Sequence, residues 1–349
     1  MENLTAKQFV MNILNGMAIG VVVVLIPGAL LGELMKVLVP VLPFLKPIVG
    51  ALALSNAMMG LVVGVLTGLN FKFNPIQATA LGLATMFASG AAQFGKEGMI
   101  ILKGTGDVIN MGLTAALGAA VILFIGDKLK AYTILVIPLI LLVGVGFIGR
   151  LMLPYVMQIT TWIGHGVAAL LSLQAVVMCI IIAVIFSIMI VSPITTVGIS
   201  LAISISGIGA GAANIGICAA GFGFAILGWS VNTKGTSVAH FIGSPKMSMA
   251  NAAQKPIILL PIVCTAACCG LIASLLNIIG TPMSAGFGFS GLVGPINYLN
   301  LVDGGWNITN FIKMLVAFII APVGFNFLFK YLFMRVVPIV KPEDYRLNI

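Results

Sequence analysis

The near absence of charge from long stretches of this chain is the feature that most restricts its fold. Only 7% of the residues are Asp, Glu, Lys or Arg, whereas 60% are hydrophobic. A run of about 18–25 apolar residues is long enough to cross a bilayer core roughly 30 Å thick. The mean hydropathy of +1.21 leaves too little polar surface for a water-soluble globule. Because polar groups are costly inside a membrane, each one at depth needs a structural or functional reason.

Apolar runs and the breakers between them predict an all-α polytopic membrane protein with about ten transmembrane helices. The predicted spans are Val10–Leu31, Ile48–Leu69, Ile76–Phe94, Val108–Ile125, Ala131–Ile148, Val167–Val191, Ile194–Ile208, Ala212–Trp229, Ile257–Ile278 and Phe311–Phe333. The stretch Arg150–Gly166 is predicted to lie at the membrane interface, with Tyr155 and Trp162 as belt residues.

Lysine and arginine side chains predict the orientation in the plasma membrane. They are concentrated in the turn 127–130, in the loop 230–256 and in the C-terminal tail, which places these segments and both termini on the cytoplasmic side. The net charge of +9 is therefore expected to face anionic lipid. It does not indicate nucleic-acid binding, because no basic cluster is interleaved with aromatic residues.

Two apolar segments are too rich in glycine and proline to be continuous helices. Gly280–Asn297 reads GTPMSAGFGFSGLVGPIN, and Ala91–Asp107 reads AAQFGKEGMIILKGTGD. Glycine and proline are the least favourable residues in a helix interior. An apolar but broken segment is expected to be a re-entrant hairpin packed inside the protein. We therefore predict re-entrant, glycine-rich hairpins.

Similar motifs recur along the chain and predict an internal repeat. Pro75-Ile76 and Pro193-Ile194 each open a predicted span, and Gly90–Gly95 matches Gly211–Gly216 after a short insertion. The predicted copies are 10–130 and 131–255, followed by the hairpin and last helices at 256–340, within a single domain spanning 1–349. Ten spans make the copies parallel, and one more or one fewer crossing would make them inverted. Transporters often bind substrate where the broken segments of such repeats meet.

Polar residues near these segments are the candidate binding residues. Gln93 and Asn214 occupy equivalent repeat positions beside glycines. Amides both donate and accept hydrogen bonds, which suits a small, neutral, hydroxylated solute. The alternative for each amide is a hydrogen bond between helices. The other candidates for solute binding lie in or near the broken segments or the loop 230–256, and they are Glu97, Asp107, Thr236, Ser284, Ser290 and Asp303. For the acids, the alternative is that they face water.

His240 is the candidate catalytic residue. It lies in the polar loop NTKGTSVAHFIGSPKMSM, where it would contact or deprotonate a solute hydroxyl near the cytoplasmic side. The alternative is a loop histidine without chemistry. The five cysteines lie in apolar stretches without CxxC spacing, so we expect buried hydrophobes and neither a metal site nor a cofactor. No complete enzyme site is visible in the sequence.

The run TPMSAGFGFSGLVGPIN and the upstream loop TKGTSVAHFIGSPKMSMAN resemble one family. The chain is similar to the bacterial phosphotransferase-system membrane subunit IIC of the second EIIC type, which takes in membrane regulators like the perfringolysin regulator. The resemblance implies a permease that binds a sugar from outside, a separate cytoplasmic IIB protein as phosphoryl donor, and a homodimer. It implies that His240 fills the histidine role of sugar-binding IIC proteins.

The sequence departs from that family pattern in one respect. The Gly-Ile-Thr-Glu motif, which supplies a sugar-binding glutamate in better-studied IIC proteins, is missing, and Asp303 is a substitute by position alone. Three functions therefore remain open. They are a phosphotransferase-type sugar permease, a secondary transporter of a small polar solute without phosphoryl coupling, and a membrane sensor or regulator on the same fold.

Overall fold

The computed structural model describes residues 4–95, 98–126 and 128–347, and almost all regular structure in these ranges is helical. The α-helices are α1 (Ala6–Leu38), α2 (Lys46–Ala57), α3 (Met59–Asn70), α4 (Pro75–Ala88), α5 (Val108–Ile125), α6 (Thr133–Leu139), α7 (Gly146–Leu170), α8 (Ala175–Met189), α9 (Thr196–Ala202), α10 (Gly207–Leu227), α11 (Lys234–Ile242), α12 (Met249–Gln254), α13 (Leu260–Leu275), α14 (Val293–Leu301), α15 (Ile308–Leu315) and α16 (Ala321–Tyr331). Two short strands, β1 (Ala92–Phe94) and β2 (Ile100–Leu102), form an antiparallel hairpin.

Six stretches of helix within the described residues are long and apolar enough to cross a membrane. They are Ala6–Gly28, Val108–Ile125, Thr133–Leu170, Gly207–Leu227, Pro256–Leu275 and Ile308–Val336. The pair Pro43–Ala57 and Met59–Asn70 is bent by 51° and raises the number to seven if it counts as one span. The class of polytopic, all-α membrane protein is confirmed, whereas the predicted number of about ten spans is not.

Several predicted spans have different bounds in the structure. The predicted span Ile194–Ile208 is not one helix, because α9 has only seven residues and the chain then turns at Ser204, whose φ is 52°. The predicted span Ala131–Ile148 and the interfacial stretch Arg150–Gly166 are instead parts of one helical run, Thr133–Leu170, with a π-helical turn at Ile140–Val145. Pro138 lies just before that turn, and proline is a common cause of such local rearrangement.

The chain divides into two compact units. The first consists of Met1–Gly28 and Leu38–Ile159, and the second of Ala29–Val37 and Thr160–Ile349. In the first unit, α3 and α4 pack at very short distance. A Cβ added at Gly64 would lie 2.7 Å from the Cα atom of Gly82, and one at Gly68 would lie 2.7 Å from that of Ala78. Small residues four apart permit this close approach of membrane helices.

The second unit is built around α10, which is buried along nearly its whole length. It packs against α8, α11, α13 and α16. Glycines on different sides of α10 provide the space. Gly216 faces the main chain of Ala183 in α8, Gly221 faces Phe241 in α11, and Gly223 faces Ile262 in α13. A helix with apolar and small residues on all of its sides is expected at the centre of a bundle.

Candidate functional site

The segment between α13 and α14 is broken, as the sequence predicts for Gly280–Asn297, although α14 already begins at Val293. Gly280 pairs with Gly207 at the start of α10 through two N–H···O bonds of 3.0 Å each. Only two 3₁₀ turns follow, at Ser284–Gly286 and Ser290–Leu292. The positive φ angles of Gly288 (62°) and Leu292 (59°) prevent a continuous right-handed helix. We call residues 278–292 the broken segment.

Asn214 in α10 attaches the broken segment to the centre of the unit. Its side chain is fully buried. Its Nδ2 donates to Ser284 Oγ at 3.3 Å, and its Oδ1 accepts from the main-chain N–H of Gly288 at 3.0 Å. The structure thus brings together two of the predicted residues, Asn214 and Ser284, in one buried contact. One amide thus binds a side chain and a main-chain group of the broken segment, whose own hydrogen bonds form only short turns.

Two threonines also form hydrogen bonds that hold the broken segment in place. The N–H of Thr281 donates to Ser284 Oγ and to Asn297 Oδ1, both at 3.0 Å. Thr196 in α9 donates its hydroxyl to the carbonyl oxygen of Gly286 at 2.9 Å. These bonds satisfy buried polar groups that would otherwise cost about 1–3 kcal/mol each. The segment is therefore a defined polar element and not a loose loop.

Two polar groups, one on the broken segment and one in the adjacent α14, have hydrogen-bonding capacity that the described protein groups do not use. Among the described residues, neither the Asn297 NH₂ group nor the Ser290 hydroxyl makes a hydrogen bond with another protein group. Ser290 is nevertheless only 6% exposed. The sequence analysis included Ser290 and missed Asn297. The available signal was its position as the last residue of the glycine-rich stretch Gly280–Asn297, which the structure places inside α14.

Helix α11, which carries His240, contacts the broken segment through aromatic rings. The rings of Phe222, Phe241 and Phe289 lie with centroids 4.7 Å (Phe222–Phe241), 5.2 Å (Phe222–Phe289) and 6.1 Å (Phe241–Phe289) apart. They come from α10, α11 and the broken segment. Aromatic pairs at these distances contribute about 0.5–1.5 kcal/mol each beyond their buried area. His240 and the broken segment therefore belong to the same region of the second unit.

His240 is fully buried, and both of its ring nitrogens are engaged. Nδ1 lies 3.0 Å from the carbonyl oxygen of Thr236, which can only accept, so Nδ1 carries the proton. Nε2 then accepts from the Ser248 hydroxyl at 2.9 Å. The Phe224 ring stacks on the imidazole at 5.8 Å with an interplanar angle of 15°.

The environment of His240 fixes its charge. Burial lowers the pKa of the His240 imidazole to about 4, although hydrogen bonds with the main chain of Thr236 and Ser237 act in the opposite direction. The ring is therefore neutral at pH 7. A neutral imidazole with its proton on Nδ1 presents Nε2 as a hydrogen-bond acceptor, which is the form that a base toward a hydroxyl requires.

Lys246, four residues after α11 ends, is a buried cation that the sequence analysis did not single out. It is 4% exposed, and its Nζ donates to the carbonyl oxygens of Ser192 at 2.5 Å and Ile194 at 2.8 Å. Burial lowers the pKa of the Lys246 amino group to about 7. The bonds tie the loop after α11 to the turn between α8 and α9.

The remaining predicted residues lie elsewhere. Gln93 is exposed on β1, opposite Ile101. Asp107 caps α5 by accepting from the N–H of Asn110 at 2.7 Å. Thr236 is partly exposed near the start of α11, with its hydroxyl 2.9 Å from that of Thr233.

Asp303 is exposed after α14, and Glu97 lies outside the described residues. Gln93 and Asp107 belong to the first unit, whereas Asn214, Thr236, His240, Ser284, Ser290 and Asp303 belong to the second. The second predicted re-entrant segment, Ala91–Asp107, contains the β-hairpin instead of a broken helix. Gly90–Gly95 leads into and through β1, whereas Gly211–Gly216 is helical, so the matched motifs differ in local conformation and the repeat stays a prediction.

No metal centre is built by the described part of the chain, which contains no group of three or more His, Cys, Asp or Glu side chains close enough to hold an ion. Cys179, Cys218 and Cys269 are buried, and Cys264 and Cys268 are partly buried. The polar element is thus assembled from amides, hydroxyls and main-chain groups, and the neutral imidazole of His240 lies on the neighbouring α11. Such an element can bind and orient a neutral hydroxylated molecule.

Comparison with known proteins identifies the family to which the chain belongs. The family model described as "Phosphotransferase system, EIIC" matches residues 11–347, which is nearly the whole chain. No curated protein and no solved structure matches the chain. Together with the apolar helices, this match shows that the chain is a multi-pass membrane protein of the phosphotransferase-system EIIC family and a permease subunit of that system.

Proposed function

We propose that this permease subunit binds a small hydroxylated solute, of sugar type, against the broken segment near the middle of the membrane. A separate cytoplasmic IIB-type protein supplies the phosphoryl group. The observation that carries the proposal is a buried, hydrogen-bonded polar element on a non-helical main chain inside a bundle of apolar helices. Irregular main chain is tolerated at membrane depth only where it is buried in protein or lines a water-filled cavity.

The position of Asn214 supports a site inside the membrane, within about 5 Å of the middle of α10. Asn214 is the eighth of the 21 residues of α10. At a rise of 1.5 Å per residue it lies about 10 Å from the start of a helix roughly 30 Å long. Secondary transporters bind substrate near this depth, at helices that are interrupted.

The chemistry of the free groups supports a neutral, hydroxylated ligand. The NH₂ group of Asn297 donates two hydrogen bonds, and the hydroxyl of Ser290 both donates and accepts. His240 would take part if its Nε2 exchanged the Ser248 hydroxyl for a solute hydroxyl, and it would then accept that proton as phosphoryl transfer proceeds. Since the Gly-Ile-Thr-Glu motif is missing, the charged partner seen in better-studied IIC proteins has no direct counterpart here.

The proposed topology has cytoplasmic termini and a broken segment that enters the membrane from outside without crossing it. Met283 and Leu292 lie on the segment, nine residues apart, and are 54% and 46% exposed. Cysteines at these two positions, in a protein whose five native cysteines are replaced by alanine, are expected to react with an impermeant maleimide from outside only. Glu343→Cys in the tail serves as the cytoplasmic control. Labelling of these two cysteines from opposite sides would contradict the topology.

We also propose that the protein forms a homodimer in the membrane, as the family resemblance implies. Many large apolar side chains are exposed on the single chain, among them Phe124, Leu135 and Ile308. Lipid and a second copy of the chain are the expected neighbours of such surface. Native mass spectrometry from nanodiscs is expected to release a dimer, and a monomer alone would contradict this part of the proposal.

The experiment that tests the function is solute uptake by cells that express the chain with and without a phosphoryl donor. We expect uptake to require phosphorylated IIB protein and to deliver phosphorylated solute. Uptake that persists without the donor but stops when the ion gradient is collapsed would show a secondary transporter instead. Unchanged uptake in a deletion strain, with altered expression of a neighbouring gene, would show a sensor or regulator.

A further inference from the structure

The C-terminal tail, residues 341–347, docks into a slot on the second unit. Two asparagines hold its main chain. Asn232 donates to the carbonyl oxygen of Tyr345 at 2.8 Å and accepts from the N–H of Leu347 at 2.8 Å. Asn251 donates to the carbonyl oxygens of Asp344 at 3.1 Å and Arg346 at 2.7 Å. Four main-chain groups of a seven-residue stretch are thus bound by side-chain amides.

Side chains of the tail contribute a buried aromatic ring and an ion pair. Tyr345 is 1% exposed, and its hydroxyl donates to the carbonyl oxygen of Ile258 at 2.8 Å. Asp344 lies 2.6 Å from Lys255 Nζ. Gly228, at the end of α10, leaves room for the tail, because a Cβ there would lie 3.1 Å from Tyr345 Cβ. The slot is therefore matched to this particular sequence.

The tail bridges the two elements that enclose His240. On one side, the Tyr345 ring packs edge-on against Phe224 at 6.0 Å, and Phe224 stacks on the His240 ring. On the other side, Asn251 and Lys255 belong to α12 and the residue after it, and Ser248, which binds His240 Nε2, is the N-cap of α12. One docked peptide therefore fixes both neighbours of the imidazole.

We propose that the tail is a clamp that holds His240 shielded and bonded to Ser248, and that its release makes His240 Nε2 accessible. Asn232, Asn251 and Tyr345 are positioning residues that act through Phe224 and α12. A role of the clamp in phosphoryl transfer rests on the proposed function of His240. The existence of the clamp does not depend on that function. When the tail leaves, α12 and Phe224 lose the contacts that keep them against the ring, and local opening of this kind is the usual route by which buried groups become reactive.

Histidine modification tests the clamp without any transport assay. The chain has two histidines, and His165 is exposed, so it is an internal reference in every sample. The full-length protein in nanodiscs is treated with diethyl pyrocarbonate at pH 7, and modification of both histidines is followed by mass spectrometry. We expect His240 to react much more slowly than His165. In the variants Asn232→Ala/Asn251→Ala and Tyr345→Ala, we expect the ratio of the His240 modification rate to the His165 modification rate to rise by about tenfold or more.

Matched controls separate the clamp from general damage. Glu343→Ala changes a 63% exposed side chain that pairs with Arg346 at the surface, and it is expected to leave the His240 rate at the wild-type value. A peptide with the sequence of residues 341–347, added at about millimolar concentration to a chain truncated after residue 340, is expected to restore protection, and a scrambled peptide is not.

The outcomes decide the proposal. Equal His240 rates in the wild type and the clamp variants would overturn it. Reactivity that rises but does not respond to the peptide would also overturn it, because the variants would then be globally unfolded rather than unclamped. A protein that passes these tests yet never phosphorylates a solute would refute the proposed function and leave the clamp intact.

Discussion

Replacing Gly211 with alanine is expected to lower the free energy of unfolding by at least about 3 kcal/mol, which is at the upper end for an overpacked core. The added Cβ would overlap the carbonyl oxygen of Ile278 and lie 2.5 Å from its carbonyl carbon. Both atoms belong to the main chain, so no side-chain rotation relieves the clash. The broken segment would have to move away from α10 and lose the Gly207–Gly280 pairing. Denaturation by SDS in mixed micelles measures the change.

Gly324→Ala is the matched control, because Gly324 lies inside α16 and a Cβ there meets nothing within 4 Å. Since alanine favours a helix over glycine, we expect this variant to gain about 0.5–1 kcal/mol. If Gly211→Ala were as stable as Gly324→Ala, the broken segment would not pack against α10 as described.

Asn214→Ala is expected to cost about 2–4 kcal/mol of stability and to weaken solute binding as well. The change removes the acceptor for the Gly288 N–H and the donor to Ser284 Oγ, and it leaves a small void in the centre of the unit. A buried donor without a partner is more costly than the loss of an average hydrogen bond. The broken segment would lose its alignment, so the groups proposed to bind solute would be displaced.

An exposed asparagine provides the comparison. Asn300 lies on the surface and accepts from Trp306 Nε1 at 2.8 Å, and Asn300→Ala is expected to change stability by less than about 1 kcal/mol. Wild-type stability of Asn214→Ala would show that the amide does not hold the segment. Lower stability with unchanged solute affinity would restrict Asn214 to a structural role.

Local sequence signals predicted some helices closely, although not the number of spans. The predicted span Val108–Ile125 is helix α5 with the same bounds, because Asp107 caps its start and Gly126, with a φ of 56°, ends it. The same Asp107 was predicted to bind solute. An aspartate directly before an apolar run is a typical N-cap, and a role of Asp107 in solute binding stays a prediction.

Hydropathy could not show where each helix lies in the bundle. The stretch 207–227 is apolar in the same way as lipid-facing helices, yet α10 is enclosed by protein. Its glycine and alanine content was the available signal, since small residues mark close helix packing. Hydropathy likewise did not predict that residues 194–208 fold as a short helix and a turn. The length and apolarity of a stretch do not determine whether a residue such as Ser204 has a positive φ.

The residues that hold the site in place could not be predicted from short stretches of sequence, for a different reason. Asn214 and Gly288 are 74 residues apart in the chain, and Asn232 and Leu347 are 115 residues apart. Such pairs are set by tertiary packing and leave no pattern in a short window of sequence. The broken segment was predictable because its glycines and prolines act locally, whereas the partners that hold it were not.

The central claim, that the broken segment binds a small hydroxylated solute, is tested most directly by ligand-dependent stabilisation. The melting temperature of the purified protein is measured against a panel of sugars and polyols, for the wild type and for Ser290→Ala/Asn297→Ala. A bound ligand at a hundredfold excess over its Kd stabilises by about 2.7 kcal/mol. The account predicts that at least one sugar raises the melting temperature of the wild type and has a much smaller effect on the double variant. Equal stabilisation of both proteins, or no stabilisation of the wild type by any of the sugars, would contradict it.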